Sequence, residues 1–125
     1  MSADDLAVAR QFLAALAAAA KSGDHEGLSP LLAADVEWLT PLPILHGLAE
    51  VCDQRSWPWI APRTNLDVDF EETETTDLGR GEIVSDFHEI YWTKRSGEFA
   101  YARDSRIVLT IREGRLARYE MRFAG

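Results

Sequence analysis

Three ionisable side chains crowd one short stretch, Asp86-Phe87-His88-Glu89. In an extended chain alternate residues share a face, so Asp86 and His88 point one way and Glu89 the other. An Asp–His pair on one face can act as a base and its orienter. A glutamate in an apolar setting can act as a general acid or base, or can sit in a structural ion pair with an arginine. A one-residue slip of register exchanges the two faces, so only one set can face an interior. The stretch has no third ligand for a metal, because His25 and His46 are distant in sequence, and no metal is expected. The single cysteine, Cys52, excludes an internal disulfide and every zinc site built from paired cysteines. It reads as a small buried apolar residue.

These side chains need elements to hold them. Leu6, Ala9, Leu13, Leu16 and Ala20 repeat at spacings of three and four, which predicts a helix over about 3–21 with Ser2 at its start. Ser22-Gly23 ends it. Asp24 can cap a short second helix running into Leu31, Leu32 and Ala33, or Ser29-Pro30 can start it afresh. From Asp35 the period changes to two: Val36, Trp38 and Thr40 alternate with Glu37 and Leu39, and Pro41 stops the strand. Gly47 to Arg55 reads as a third helix, closed by Trp57-Pro58. Leu66, Val68 and Phe70 alternate with Asp67, Asp69 and Glu71, the cleanest strand signal in the chain. Strands follow over 82–93, 101–111 and 116–123, with turns at 77–81, Ser96-Gly97 and 112–114.

Helices first and an antiparallel meander after give an α+β class. The expected architecture is a cone-shaped, curved antiparallel sheet wrapped around the long N-terminal helix, which encloses a pocket for a small molecule.

At 125 residues, 46% hydrophobic and 27% charged, the chain is one globular domain, 1–125. Its net charge of −8 argues against nucleic acid or an anionic membrane as a partner. The charge is uneven. Residues 65–90 hold nine acids and one base, whereas 91–125 hold four acids and eight bases, which predicts complementary pairs between neighbouring strands. No apolar run reaches the ~18 residues of a membrane span. The Ala-rich stretch 13–20 follows Asp4 and Asp5, where a signal peptide needs positive charge, so a cytoplasmic location is expected.

The ordered set Gly23-Asp24, 31–38 (LLAADVEW), Pro41, Gly47, Ser96-Gly97, Tyr101 and 111–116 (IREGRL) resembles the nuclear-transport-factor-2-like superfamily. The likeness is to its small enzymes: ketosteroid isomerases, SnoaL-like polyketide cyclases and limonene-epoxide hydrolases. It implies a deep apolar pocket, a homodimer formed on the outer sheet face, and catalysis without metal or organic cofactor. The isomerases' carboxylate base falls at Thr40, and their helix tyrosine falls near Phe12 or Leu16. The hydrolases' last-strand acid falls at Met121. Neither catalytic set is intact, so the reaction class stays open among isomerase, cyclase, dehydratase and hydrolase. The alternative is a non-catalytic binding or accessory dimer.

Counting back from Gly97 carries a family carboxylate onto Glu89. Family parity turns Tyr119, Met121, Tyr101, Arg103 and Ser105 inward, with Val108 and Ile90 outward. The expected acid–base group is Glu89 with Arg103, Tyr101 and His46; Asp86 and His88 replace it if the register slips. Phe12, Leu16, Trp38, Thr40, Trp57, Trp59, Phe70, Ser105, Tyr119 and Met121 are expected to line the pocket. The tryptophans there offer flat walls to a planar or polycyclic apolar ligand.

Overall fold

The computed structural model describes residues 2–22, 26–41, 44–53 and 66–123. Helix α1 spans Ser2–Ser22. Alanine is the best helix former, and α1 is rich in it. Asp4 and Asp5 in its first turn and Lys21 in its last complement the helix dipole. Ala9, Phe12, Leu13, Ala19 and Ala20 are its buried residues. After α1 the described chain resumes with a turn, and a single 3-10 turn, Ser29–Leu31, begins at Ser29-Pro30, the second of the two starts the sequence offers; Asp24 lies outside the described residues. Pro30 has no N–H to donate and tolerates only the first turn of a helix. Leu32 and Ala33 already belong to a strand.

The strands are β1 (Leu32–Leu39), β2 (Ile44–His46), β3 (Leu66–Gly79), β4 (Glu82–Thr93), β5 (Phe99–Arg112) and β6 (Arg115–Phe123). They form one curved sheet, in the order β2-β1-β6-β5-β4-β3, that does not close on itself. All neighbours are antiparallel except β1 and β6, which run parallel; the expected antiparallel meander is β3 to β6. A register shift between Leu32 and Glu37 lets Leu32 and Ala33 both bury before strict alternation resumes at Val36 and Trp38. Helix α2 covers only Gly47–Val51, and the turn at Cys52 ends it where the sequence pattern ran on to Arg55. β2 carries too few residues to show a period of two, and the sequence gives no sign of it.

β3 runs to Gly79, well past the expected alternation, because a bulge between Glu72 and Glu74 breaks the pattern without breaking the pairing with β4. It is an edge strand, and its exposed Asp67, Asp69, Glu71, Glu72 and Glu74 keep it from pairing further. Two of these acids hold α1: Arg10 reaches Glu72 at 3.3 Å and Lys21 reaches Asp69 at 2.9 Å. Exposed pairs of this kind add at most about 1 kcal/mol each. The packing of α1 rests on the core instead, where Phe12 joins Trp38, Leu109, Ile83 and Leu116 in one buried cluster. No helix among the described residues is long and apolar enough to cross a membrane.

The β3–β4 turn fixes where β4 begins, and hence the face that each of its residues takes. Gly81 there has φ +79°, and an added Cβ would collide with the Ile111 carbonyl oxygen of β5. Gly97, in the β4–β5 turn, has φ +71° but open space around it. Gly81→Ala should therefore cost about 2–4 kcal/mol of unfolding free energy. Gly97→Ala should cost roughly 1–2 kcal/mol, the strain of a left-handed alanine alone. Urea unfolding of both variants checks this; equal losses would mean that β5 yields at Ile111.

Candidate functional site

The β4–β5 register decides which residues meet in the interior. Glu89 pairs with Arg103, Phe87 with Ser105 and Tyr91 with Tyr101, all on the face turned toward α1. Glu89 is 4% exposed. Its Oε1 accepts a hydrogen bond from the Tyr91 hydroxyl at 2.6 Å and another from Arg103 Nε at 3.2 Å. Arg103 Nη2 donates to the Tyr91 oxygen at 2.8 Å, closing a three-membered network. The guanidinium carbon lies 4.1 Å from the Phe123 ring centre and 5.1 Å from that of Tyr91, so aromatic faces support the charge. Burial, and then the hydrogen bond to Glu89, push the Tyr91 phenol well above its ordinary pKa, so it stays a donor. Both hydrogen bonds to Glu89 land on Oε1, which leaves Oε2 open among the described residues.

Deeper along the same face lies an aromatic cluster. Trp38, on β1, stacks on Tyr119, on β6, with ring centres 4.0 Å apart and planes 16° apart. Phe12 of α1 meets both edge-on, at 6.0 and 5.9 Å. The Tyr119 phenol is pushed far up in pKa, first by burial and then by the charge of Glu89, which joins this cluster electrostatically to the carboxylate. Among the described residues, two buried polar atoms have no hydrogen-bond partner: Trp38 Nε1 and Ser105 Oγ. Leaving such a group unsatisfied costs about 1–3 kcal/mol.

The remaining expected residues divide clearly. Asp86 and His88 are on the outer face. Asp86 takes two bonds from Arg106, at 2.8 and 3.1 Å, and that guanidinium holds its carboxyl below the usual range. His88 Nδ1 lies 2.7 Å from Asp104. The two sets are therefore on opposite faces, with Glu89 inside. His46 is exposed, pairs with Glu37 on the face opposite Trp38, and does not join Glu89. Its expected place in the acid–base group is corrected: β2, missed in the sequence, turns it outward. Tyr101 is 42% exposed and stacks on Tyr91 at 4.5 Å, away from the Trp38 cluster with which it was expected to share a wall.

Met121 and Thr40 are buried, and Leu16 packs partly against the core. Phe70 faces Glu89 across β3 and meets Phe87 edge-on at 6.4 Å. Trp57 and Trp59 lie outside the described residues. Sequence reasoning missed Tyr91 as a site residue. Its signal was available, since it stands two residues beyond Glu89 and so shares its face. Among the described residues, no three His, Cys, Asp or Glu side chains gather as a metal site would require. A separate polar hollow, lined by residues including Asp35, Arg112, Glu113 and Arg115, lies by the β5–β6 turn and contains none of the expected site residues.

No family model and no curated protein matches the chain. Solved structures do. An NTF2-like protein from Anabaena variabilis is 14% identical, with a TM-score of 0.79 over 98% of this chain and 90% of that one. TerC, co-crystallised with polyporic acid, is 21% identical, with a TM-score of 0.69 over 97% and 92%. A protein of ketosteroid isomerase-like fold from Catenulispora acidiphila, in complex with trimethylamine, is 16% identical, with a TM-score of 0.71 over 91% and 85%. The chain has the NTF2-like fold.

The network makes a thermodynamic prediction. Arg103→Met strands the Glu89 charge in the interior and should cost about 2–4 kcal/mol in urea unfolding, less than a fully buried pair would because Arg103 is 30% exposed. Adding Glu89→Gln should restore at least half of the loss. A double variant no more stable than Arg103→Met would assign the loss to aromatic packing on the guanidinium, not to charge.

Proposed function

We propose that this chain is a small enzyme that moves a proton on an apolar small molecule, with Glu89 as the proton acceptor. One observation carries the reading: a buried carboxylate has its donors gathered on Oε1 while Oε2 is open. A general base must present a lone pair to the substrate while the rest of the group is held still. Tyr91 and Arg103 supply that restraint. Tyr119, kept as a neutral phenol, is a donor for negative charge that develops as the proton leaves. The proton taken at Oε2 returns to a second atom of the same molecule, which suits isomerisation, cyclisation or dehydration; taken instead from a water that attacks the molecule, and returned to the leaving atom, it also suits hydrolysis. The side chains carry this chemistry without metal or organic cofactor.

Solved structures of the same fold hold polyporic acid and trimethylamine, which supports a small molecule as the partner. Polar residues on this fold serve different chemistries, so the fold does not choose the reaction. A second reading, a non-catalytic binding or accessory protein, is favoured by the same ion pair seen as purely structural. The reading keeps a homodimer joined through the outer sheet face, where Ile90 and Val108 are half-buried. It keeps a cytoplasmic setting too.

The decisive variant is Glu89→Gln, which preserves shape and removes the charge. In a turnover screen of enolisable ketones, epoxides and polyketide-like phenols it should lower kcat/KM by about 10²–10⁴-fold. His88→Gln should leave the rate within about twofold, since a solvated outer-face histidine contributes nothing to the proton step. An intact rate in Glu89→Gln with loss in His88→Gln would reverse the assignment of faces. Light scattering should show a dimer at micromolar concentration; a strict monomer sinks that part of the reading.

A further inference from the structure

Trp38 is 1% exposed, and its indole nitrogen has no hydrogen-bond partner among the described residues. The indole N–H only donates, so a conventional hydrogen bond there requires an acceptor atom. Trp38 cannot easily turn to find one. Its backbone is held between Leu45 of β2 and Tyr119 of β6, its ring is stacked on Tyr119, and Phe12 meets it in a T-shaped contact. A phenylalanine would fill an apolar wall without an unmet donor. Ser105 Oγ is the second unpartnered atom, and it stands next to the Glu89–Arg103 row on the same face of β5. Tyr119 connects the two places, being stacked on Trp38 and within electrostatic reach of Glu89.

We propose that Trp38 determines specificity: its indole N–H donates to an oxygen of the bound molecule, so the interior selects a carbonyl-bearing ligand over a hydrocarbon of the same shape. The proposal rests on the small-molecule reading above, but not on Glu89 being the proton acceptor. Hydrogen bonds left unmade by a wrong ligand discriminate more strongly than a change of apolar bulk, because the buried group is then stranded. A permanently bound water is the competing occupant. Such a water needs two to four polar partners.

Acetophenone and α-methylstyrene test this directly, since they share a shape and differ by C=O against C=CH2. In ¹⁵N-labelled protein the Trp38 indole resonance, assigned by its loss in Trp38→Phe, should move downfield saturably with acetophenone. It should stay in place with α-methylstyrene. Trp38→Phe should weaken acetophenone binding about tenfold and make the two probes equal. The wild-type titration does not depend on the variant folding well. Equal response to both probes, a preference that survives Trp38→Phe, or an indole proton that keeps its exchange contact with a long-lived water at saturating acetophenone each overturns the assignment. If neither probe moves any interior resonance, the small-molecule reading falls with it. A Glu89→Gln protein that keeps full turnover and also keeps the carbonyl preference overturns the role of Glu89 alone.

Discussion

A carboxylate cannot enter an apolar interior alone; the cost of leaving water must be met by donors already in position. Glu89 obeys that constraint, and much of the molecule is arranged around it. Arg103 stands directly across the β4–β5 ladder, and Tyr91 stands two residues along the same strand. Neither can shift by one residue without turning to the outer face. The turn glycines, the close approach of Gly81 to β5 and the unbroken pairing from Glu82 to Tyr91 all serve that one register. The outer face obeys the same register with cheaper interactions, the Asp86–Arg106 and His88–Asp104 pairs, where water shares the work of solvation.

Much of this arrangement is legible in the amino-acid sequence, because it rests on short-range periodicity. The three-and-four spacing from Leu6 to Ala20 places α1, and β4 begins and ends where the pattern puts it, at Glu82 and Thr93. The acidic stretch before residue 90 and the basic stretch after it do meet as cross-strand pairs. The choice between Glu89 and the Asp86–His88 pair was not legible, because parity says which residues share a face but not which face is inside. Only packing against α1 settles it. His46 was misplaced because β2 has three residues, too few for any period to show. Tyr91 was overlooked although its parity was available. Its importance comes from a hydroxyl that reaches back along its own strand, which no spacing rule expresses.

The interior divides into two chemistries. Toward the open end of β4 and β5, charge is held by charge and by aromatic faces, with Arg103 between Phe123 and Tyr91. Toward α1, three aromatic rings pack without a hydrogen bond at Trp38. Tyr119 belongs to both, through its ring on one side and its phenol on the other. A scaffold of this kind can change its reaction by exchanging a few side chains, because the strands that aim them stay the same. The positions held here by Thr40 and Met121 are buried and carry no carboxylate, whereas Glu89 on β4 is a buried carboxylate.

The row of acids along β3 has a consequence for the protein's behaviour in bulk. An unpaired strand edge invites another copy to dock its backbone there, and at neutral pH mutual repulsion between carboxylates keeps two such edges apart. Without those charges the same fourteen-residue edge would present threonines, Leu78 and bare backbone groups to its neighbours. Colloidal stability is thereby tied to the charge carried by a single strand.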